Sequence, residues 1–344
     1  MRLVVLCLEW PSRSRHVGGV GRYAFRLTTW LGSRAEVSVV TGPDPEPLAG
    51  VDLHPVEPGM FKDRMTRHYV APLAAARLVA ALKPDVIHSH GDDAYLAWAP
   101  GHAPILRTYY GRAAAEARSG RWQRQANHVV LALLEHSVRH RVARAVAIGP
   151  DSATAYRTHA LIPPVLPDDL PDSVGRKGPE PTMVFIGGFD GRKRGGMAAR
   201  AVERLRRRGA AVQFTVFGPP ADKERYPAWV DFRSGAPDAE VRAALAGAWI
   251  LLAPSTYEGF GIPAWEAMGA GAVVVGTPTP GMTFLAAGDA AVLVDDVRFD
   301  DAVAALTADG EARSAIQARA RARAEEIAGM ADPGRYLRLA MELA

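Results

Sequence analysis

With 344 residues the chain has room for two domains of roughly 100–200 residues each. A composition of 48% hydrophobic and 23% charged residues is that of a globular protein and excludes a disordered chain. The formal net charge of +4 demands no polyanionic partner, and the single cysteine, Cys7, leaves neither a disulfide framework nor a thiolate metal cluster.

The opening MRLVVLCLEW carries a strand at Leu3–Leu8. Its apolar run is too short for a secretory signal and is interrupted by Glu9. No apolar segment reaches the roughly 18 residues of a membrane span. The expectation is a cytoplasmic protein, with peripheral contact to the inner face of the membrane left open. Further strands are expected at Val37–Val40, Asp85–His88, Ile105–Thr108 and Val142–Ile148, with helices over 22–31, 70–82 and 121–141. Between Leu161 and Pro181 the stretch LIPPVLPDDLPDSVGRKGPEP is crowded with Pro, Asp and Gly and reads as a linker.

The pattern then restarts. Strands are expected at Met183–Ile186, Val212–Phe217, Ile250–Ala253, Val273–Val275 and Ala291–Val294, and helices over 195–208, 238–247, 262–269 and 311–328. Alternation of this kind implies parallel sheets with helices on both faces. The fold class is therefore α/β, with two Rossmann-like doubly wound domains facing a cleft. The boundaries are placed at residues 1–172 and 173–334.

Gly18–Phe25, GGVGRYAF, fits the dinucleotide fingerprint G-x-G-x-x-G/A. That motif needs its first glycine directly after strand one and an acidic residue at the end of strand two. Here about ten residues, Pro11 among them, separate Leu8 from Gly19, and the second strand runs out in Thr41-Gly42. Both conditions fail, so an NAD or FAD site is rejected. What remains is a glycine-rich turn before a helix, either binding an anion through free amides or binding nothing.

Residues 250–276, ILLAPSTYEGFGIPAWEAMGAGAVVVG, carry more. A buried strand runs into a glycine-rich loop, Pro263 stands where a first helical turn begins, and Glu258 and Glu266 lie beyond the strand's carboxyl end. Ser255-Thr256-Tyr257-Glu258 also fits a capping box, and Glu266 also fits a solvated helix. With seven residues between its two glutamates, Glu258-Gly-Phe-Gly-Ile-Pro-Ala-Trp-Glu266 resembles the hallmark of the retaining glycosyltransferases of family 4, of GT-B fold. The resemblance implies that Glu258 contacts donor sugar hydroxyls and Glu266 the ribose. It also implies that the amides of Gly259, Phe260 and Gly261 lie near sugar and phosphate. A last helix at 335–344 crosses back to the first domain in that fold.

Phe185-Ile186-Gly187-Gly188-Phe189-Asp190-Gly191-Arg192-Lys193 is similar to the family's strand and turn where a lysine binds the donor phosphates, the place taken by Lys193. Gly188 stands where an arginine is frequent, and Arg192 is the candidate second cation; Arg192 and Arg194 equally fit surface charge. In the first half, Gly18, Gly19 and Gly21 are then placed near the donor phosphate. His88 and His90 fall on one strand face, suited to core or acceptor pocket, with Asp92 and Asp93 next as hydroxyl acceptors. Tyr110 occupies the position of a sugar-contacting histidine, and Pro163-Pro164-Val165-Leu166 departs from the family's Pro-Asn-Gly-Val.

These resemblances imply a retaining glycosyltransferase that moves a sugar from a nucleoside-diphosphate donor to a hydroxyl of a small-molecule, specialised-metabolite or glycolipid acceptor. Lys193, Arg192 and Glu258 are its candidate catalytic residues. No cofactor, no nucleic acid and no metal is expected. A catalytically weakened binding protein, or an epimerase of the same fold, is the alternative. The basic, partly amphipathic segment 118–144 fits a solvated helix or one lying on anionic lipid.

Overall fold

The structure, a computed structural model, describes residues 1–13, 18–118, 122–164 and 177–344, with the backbone alone for 117–118 and 122–128. The chain divides into two compact units. Met1–Ala114, Ala126–Val165 and Ala331–Ala344 make the first, and Ala115–Gln125 with Leu166–Met330 the second. Most of the expected linker lies outside the described residues.

The first unit is built on a parallel sheet of β1 (Arg2–Cys7), β2 (Glu36–Thr41), β3 (Asp52–Pro55), β4 (Val86–Ser89), β5 (Ile105–Tyr109), β6 (Arg144–Ala147) and β7 (Ala160–Leu161). Their order is β3-β2-β1-β4-β5-β6-β7. The run LVVLC of β1 is apolar throughout because helices cover both faces of the sheet, and ILRTY of β5 is buried along its length with Arg107 paired to Asp93. Its helices are α1 (Gly19–Gly32), α2 (Ala71–Ala81), α3 (Ala94–Trp98) and α6 (Pro150–Tyr156), together with most of α5 (Trp122–Val138); most of α4 (Ala113–Arg118) falls in the second unit. Val4, Leu6 and Ile87 of the sheet meet Ala75, Val79, Leu96 and Val138 in one core.

The second unit repeats the plan with β8 (Thr182–Ile186), β9 (Gln213–Phe217), β10 (Asp231–Arg233), β11 (Ile250–Ala253), β12 (Val273–Gly276) and β13 (Val292–Leu293). These run parallel in the order β10-β9-β8-β11-β12-β13. Around them lie α7 (Gly195–Arg207), α8 (Asp238–Gly247), α9 (Ile262–Gly269), α10 (Pro280–Leu285), α11 (Phe299–Ala308) and α12 (Gly310–Met330). A final helix, α13 (Pro333–Met341), belongs to the first unit.

Three strands absent from the sequence reading, β3, β7 and β10, are all sheet edges of two to four residues. Edge strands need no continuous apolar run, so periodicity does not announce them. Helices α6, α10 and α13 begin with a proline, which fills a first-turn position where no N–H is needed. Helix α1 starts at Gly19, three residues before the expected 22, so Gly18 is its N-cap and Gly19 and Gly21 are helical. Among the described residues no helix is long and apolar enough to cross a membrane.

In both parallel sheets the order of strands reverses once, between β1 and β4 and between β8 and β11. Loops leaving adjacent strands at such a point diverge and open a crevice at the carboxyl ends, where ligands of open α/β sheets bind. The loops after β8 and β11 are those that carry Lys193 and Glu258.

Candidate functional site

In the second unit, β8 leads into a tight turn that brings Lys193 back over the strand end. Gly187 has φ +153°, and a Cβ there would lie 2.8 Å from Lys193 Cβ and Cγ, so only glycine leaves room for the lysine. A single 3-10 turn, Gly191–Lys193, then presents Arg192 and Lys193 together. Lys193 Nζ lies 2.6 Å from Glu258 Oε1, and Arg192 Nη1 lies 3.2 Å from Glu258 Oε2 and 3.1 Å from the Tyr257 carbonyl. Ser255 Oγ donates to Glu258 Oε1 at 2.7 Å. Burial raises the pKa of Glu258, but Lys193 and Arg192 outweigh it and hold the carboxyl below its ordinary value. Burial pulls Arg192 down, and Glu258 with Glu116 reverses that, leaving a guanidinium held in its charged form.

Glu258 is therefore buried yet ionised, which is tolerable only because both oxygens are paired. No capping box exists here: α9 begins at Ile262, well past Ser255, whose hydroxyl serves the Glu258 side chain. Gly261, with φ +92°, is the N-cap of α9, and Pro263 sits in its first turn as expected. Glu266 follows one turn into the same helix and is largely buried, not solvated. Phe260 is 2% exposed and packs edge-on against Trp265 at 5.6 Å, so its side chain belongs to the core. A small pocket lies among Ile186, Lys193, Ser255, Glu258, Gly261 and Met282.

Three residues that shape this cluster carry no obvious mark in the sequence. Gly281 N donates to the Glu258 carbonyl at 2.9 Å, and a Cβ at Gly281 would come within 2.6 Å of Phe260 backbone atoms. Thr277 Oγ1 donates to the Ser255 carbonyl. Arg194, in the left-handed region at φ 55°, ties the lysine turn to the loop beyond β11 through the Pro254 carbonyl. Gly188, by contrast, has no positive φ, and a Cβ there would meet Asp222 Oδ2 at an ordinary 3.4 Å. Nothing steric requires glycine at that position.

In the first unit His88, His90 and Tyr110 form one cluster. His88 and His90 do share a strand face, with ring centroids 4.3 Å apart. His88 Nε2 lies 2.9 Å from Thr108 Oγ1, and His90 Nδ1 lies 2.5 Å from the Tyr110 hydroxyl. Burial pushes His88 down to about 3, and burial together with His88 pushes His90 well below its ordinary value, so both rings are neutral. Asp92 is held by Arg67 through two bonds of 3.1 Å. Asp93 is turned inward against Ser89 and Arg107, which removes it from the hydroxyl acceptors. Tyr336 of α13 completes the cluster, its ring 5.2 Å from His88 and its hydroxyl 3.1 Å from that of Tyr23. Gly18, Gly19 and Gly21 open α1 beside this group, and Gly18, as the N-cap, has no side chain with which to cap the helix. Thr41 ends β2 with its hydroxyl on the Gly42 carbonyl, so no acid stands where a dinucleotide ribose would need one.

Solved structures superpose on the chain from end to end. Sucrose-phosphate synthase from Thermosynechococcus elongatus matches with TM-score 0.81 at 16% identity, covering 100% of both chains. WaaG, a glycosyltransferase involved in lipopolysaccharide biosynthesis, gives 0.73 at 18%, covering 99% of each. Anabaena HepE, solved in complex with UDP-glucose, gives 0.72 at 13%, covering 98% of this chain and 99% of its own. Two Rossmann-like units with these neighbours define the fold of the GT-B glycosyltransferases. No curated protein matches the chain in sequence. The family described as Glycosyltransferase Family 4 matches residues 17–167, and Glycosyl transferases group 1 matches residues 180–309. The chain belongs to the family 4-like glycosyltransferases of GT-B fold.

Proposed function

We propose that this glycosyltransferase takes a sugar from a nucleoside-diphosphate donor and transfers it, with retention of configuration, to a hydroxyl of a small-molecule or lipid acceptor. The observation that carries the reading is the convergence of Lys193, Arg192 and Glu258 at the switch point between β8 and β11. Departure of a nucleoside diphosphate builds negative charge on phosphate oxygens. Two fixed cations in a largely buried setting stabilise that charge as it develops. We assign the phosphates to Lys193 and Arg192 with the Gly187 and Gly188 backbone, the sugar hydroxyls to Glu258, and the ribose to Glu266. The amides of Gly259, Phe260 and Gly261 join them. The neighbour solved with UDP-glucose supports a nucleotide sugar as donor.

Glu258 holds both cations until the donor's phosphates take them over, and its carboxylate is then released toward sugar hydroxyls. The leaving phosphate accepts the acceptor's proton on the same face, so no protein nucleophile, metal or cofactor is required. In the first unit we assign the amides at the start of α1 to an anion, and His88, His90, Asp92 and Tyr110 to the acceptor. Thermal stabilisation across a panel of nucleotides and nucleotide sugars tests the donor, and the anomeric configuration of the product by NMR tests retention. Stabilisation by NAD alone, or an inverted product, contradicts the reading.

A lipid acceptor, or a membrane-borne one, is favoured by one surface of the first unit. Trp98, Val129, Val130 and Leu133 are exposed at 52%, 52%, 42% and 66%, and Arg141 stacks over the Trp98 ring at 3.9 Å. An aromatic and aliphatic patch edged with arginine suits an anionic membrane face. We place the protein in the cytoplasm with peripheral contact through this patch. Leu133→Glu is expected to abolish co-sedimentation with vesicles containing phosphatidylglycerol; no sedimentation of the parent protein would remove this part.

A further inference from the structure

Arg194 is the N-cap of α7, with φ 55° and ψ 49°, a conformation that costs any residue with a Cβ and is free to glycine. Glycine follows at both of the next two positions, so the chain has the permissive residue at hand and still places arginine in the left-handed one. The side chain makes no cap for its own helix. It leaves the helix entirely. Its Nε donates to the Pro254 carbonyl beyond β11, and its Nη1 lies 2.5 Å from Asp296 Oδ2 beyond β13. Beside it Thr256 N donates to the Arg192 carbonyl at 2.8 Å. Three loops at the carboxyl edge of one sheet are thus fastened at a single guanidinium, whose planar fork reaches two acceptors at once.

The residues on either side of this fastening are those of the charge cluster. Lys193 precedes Arg194 directly, and Glu258 lies four residues after Pro254. We infer that Arg194 is a positioning residue: its bonds to Pro254 and Asp296 hold the lysine turn against the glutamate loop and so fix Lys193 opposite Glu258. The left-handed backbone is kept because it aims the guanidinium across the strand ends. The inference rests on the proposed donor site for its kinetic consequence, whereas the geometric claim about Lys193 stands independently of any donor.

The test compares the parent chain with Arg194→Gly, which relieves the backbone while deleting the strut, and Asp296→Ala, which deletes one bond without touching Arg194. The first readout needs no nucleotide: the rate at which an acylating reagent modifies Lys193, followed by peptide mapping. Loss of the strut is expected to raise that rate several-fold in Arg194→Gly and less in Asp296→Ala, while the melting temperature of Arg194→Gly stays level or rises. The second readout is UDP affinity by calorimetry. Arg194→Gly is expected to weaken it about tenfold in the parent chain and not at all in a Lys193→Ala background. Unchanged Lys193 reactivity, or additive losses in the double variant, overturns the inference. A fall in melting temperature with unchanged reactivity also overturns it, since Arg194 would then be structural only. If the parent chain binds no nucleoside diphosphate, the donor reading fails, and the acylation rates alone decide the role of Arg194. Arg194→Lys, which can reach one acceptor but not both, is expected to fall between.

Discussion

Lys193 Nζ and Glu258 Oε1 lie 2.6 Å apart although 65 residues separate them, each carried by a loop beyond a different central strand. Neither position has an intrinsic reason to be charged where it sits: Glu258 is 8% exposed at its side chain and Lys193 24%. Each is stable there because of the other, and both lie at the carboxyl ends of adjacent strands, β8 and β11.

Lys193→Ala should therefore act on two measurements. UDP affinity by calorimetry is expected to fall roughly 10- to 100-fold, the loss of charge-assisted hydrogen bonds to phosphate. Thermal stability is expected to fall as well, because Glu258 keeps only Arg192 and Ser255 as partners. Unaltered UDP affinity would dismiss Lys193 as a phosphate ligand.

Glu258→Gln should separate binding from transfer. The amide keeps a partner for Ser255 but no longer competes for the two cations, so UDP alone is expected to bind as tightly as before or several-fold more tightly. Sugar transfer is expected to drop at least tenfold, because a charged acceptor for the sugar hydroxyls has been lost. Equal losses in both measurements would mean that Glu258 only props the site.

Gly281→Ala probes the scaffold under the glutamate. A Cβ there would stand 2.6 Å from the Phe260 carbonyl oxygen, which is backbone and cannot rotate away. The loop bearing Glu258 must shift, at an expected cost of about 1–3 kcal/mol in unfolding free energy together with reduced turnover. Gly188→Arg is the contrasting case. Its Cβ meets only Asp222 at 3.4 Å, so the variant is expected to fold normally, checked by its melting curve.

The two histidines give a pH signature. Unfolded, His88 protonates near 6.5, but in the fold burial pulls it down to about 3. Between these values the unfolded state binds more protons, so stability is full above pH 6.5 and falls as the pH drops. The slope is about 1.4 kcal/mol per pH unit for this one group. Urea unfolding at pH 7 and pH 5 is expected to show that loss, and His88→Gln, which can still reach Thr108, is expected to show less of it. Identical pH dependence in the variant would mean other groups govern acid sensitivity.

Much of this arrangement is legible in the sequence, and the part that is not has definite causes. The central strands are apolar on both faces and announce themselves, and Glu258, Gly261, Pro263 and Glu266 sit close together on one loop and helix. Lys193 is marked by its place after a strand and a glycine turn. The contacts that fix these residues are not local. Gly281 reaches Glu258 across a strand and a helix, and Tyr336 meets His88 from the far end of the chain. Arg194 reads as surface charge because only its left-handed backbone, invisible in composition or periodicity, turns it across the sheet. Asp92 and Asp93 look alike in sequence, yet one faces Arg67 at 3.1 Å and the other is buried against Arg107.

The most direct test of the central claim is release of nucleoside diphosphate from a panel of uridine, guanosine, adenosine and thymidine diphosphate sugars, followed by chromatography for the parent chain and Lys193→Ala. At least one donor is expected to be cleaved by the parent chain, and at least 100-fold more slowly by the variant, a difference of about 2.7 kcal/mol in transition-state stabilisation. No release from any donor, or equal release by the two proteins, would contradict the assignment of Lys193 and Glu258 to a nucleotide-sugar site.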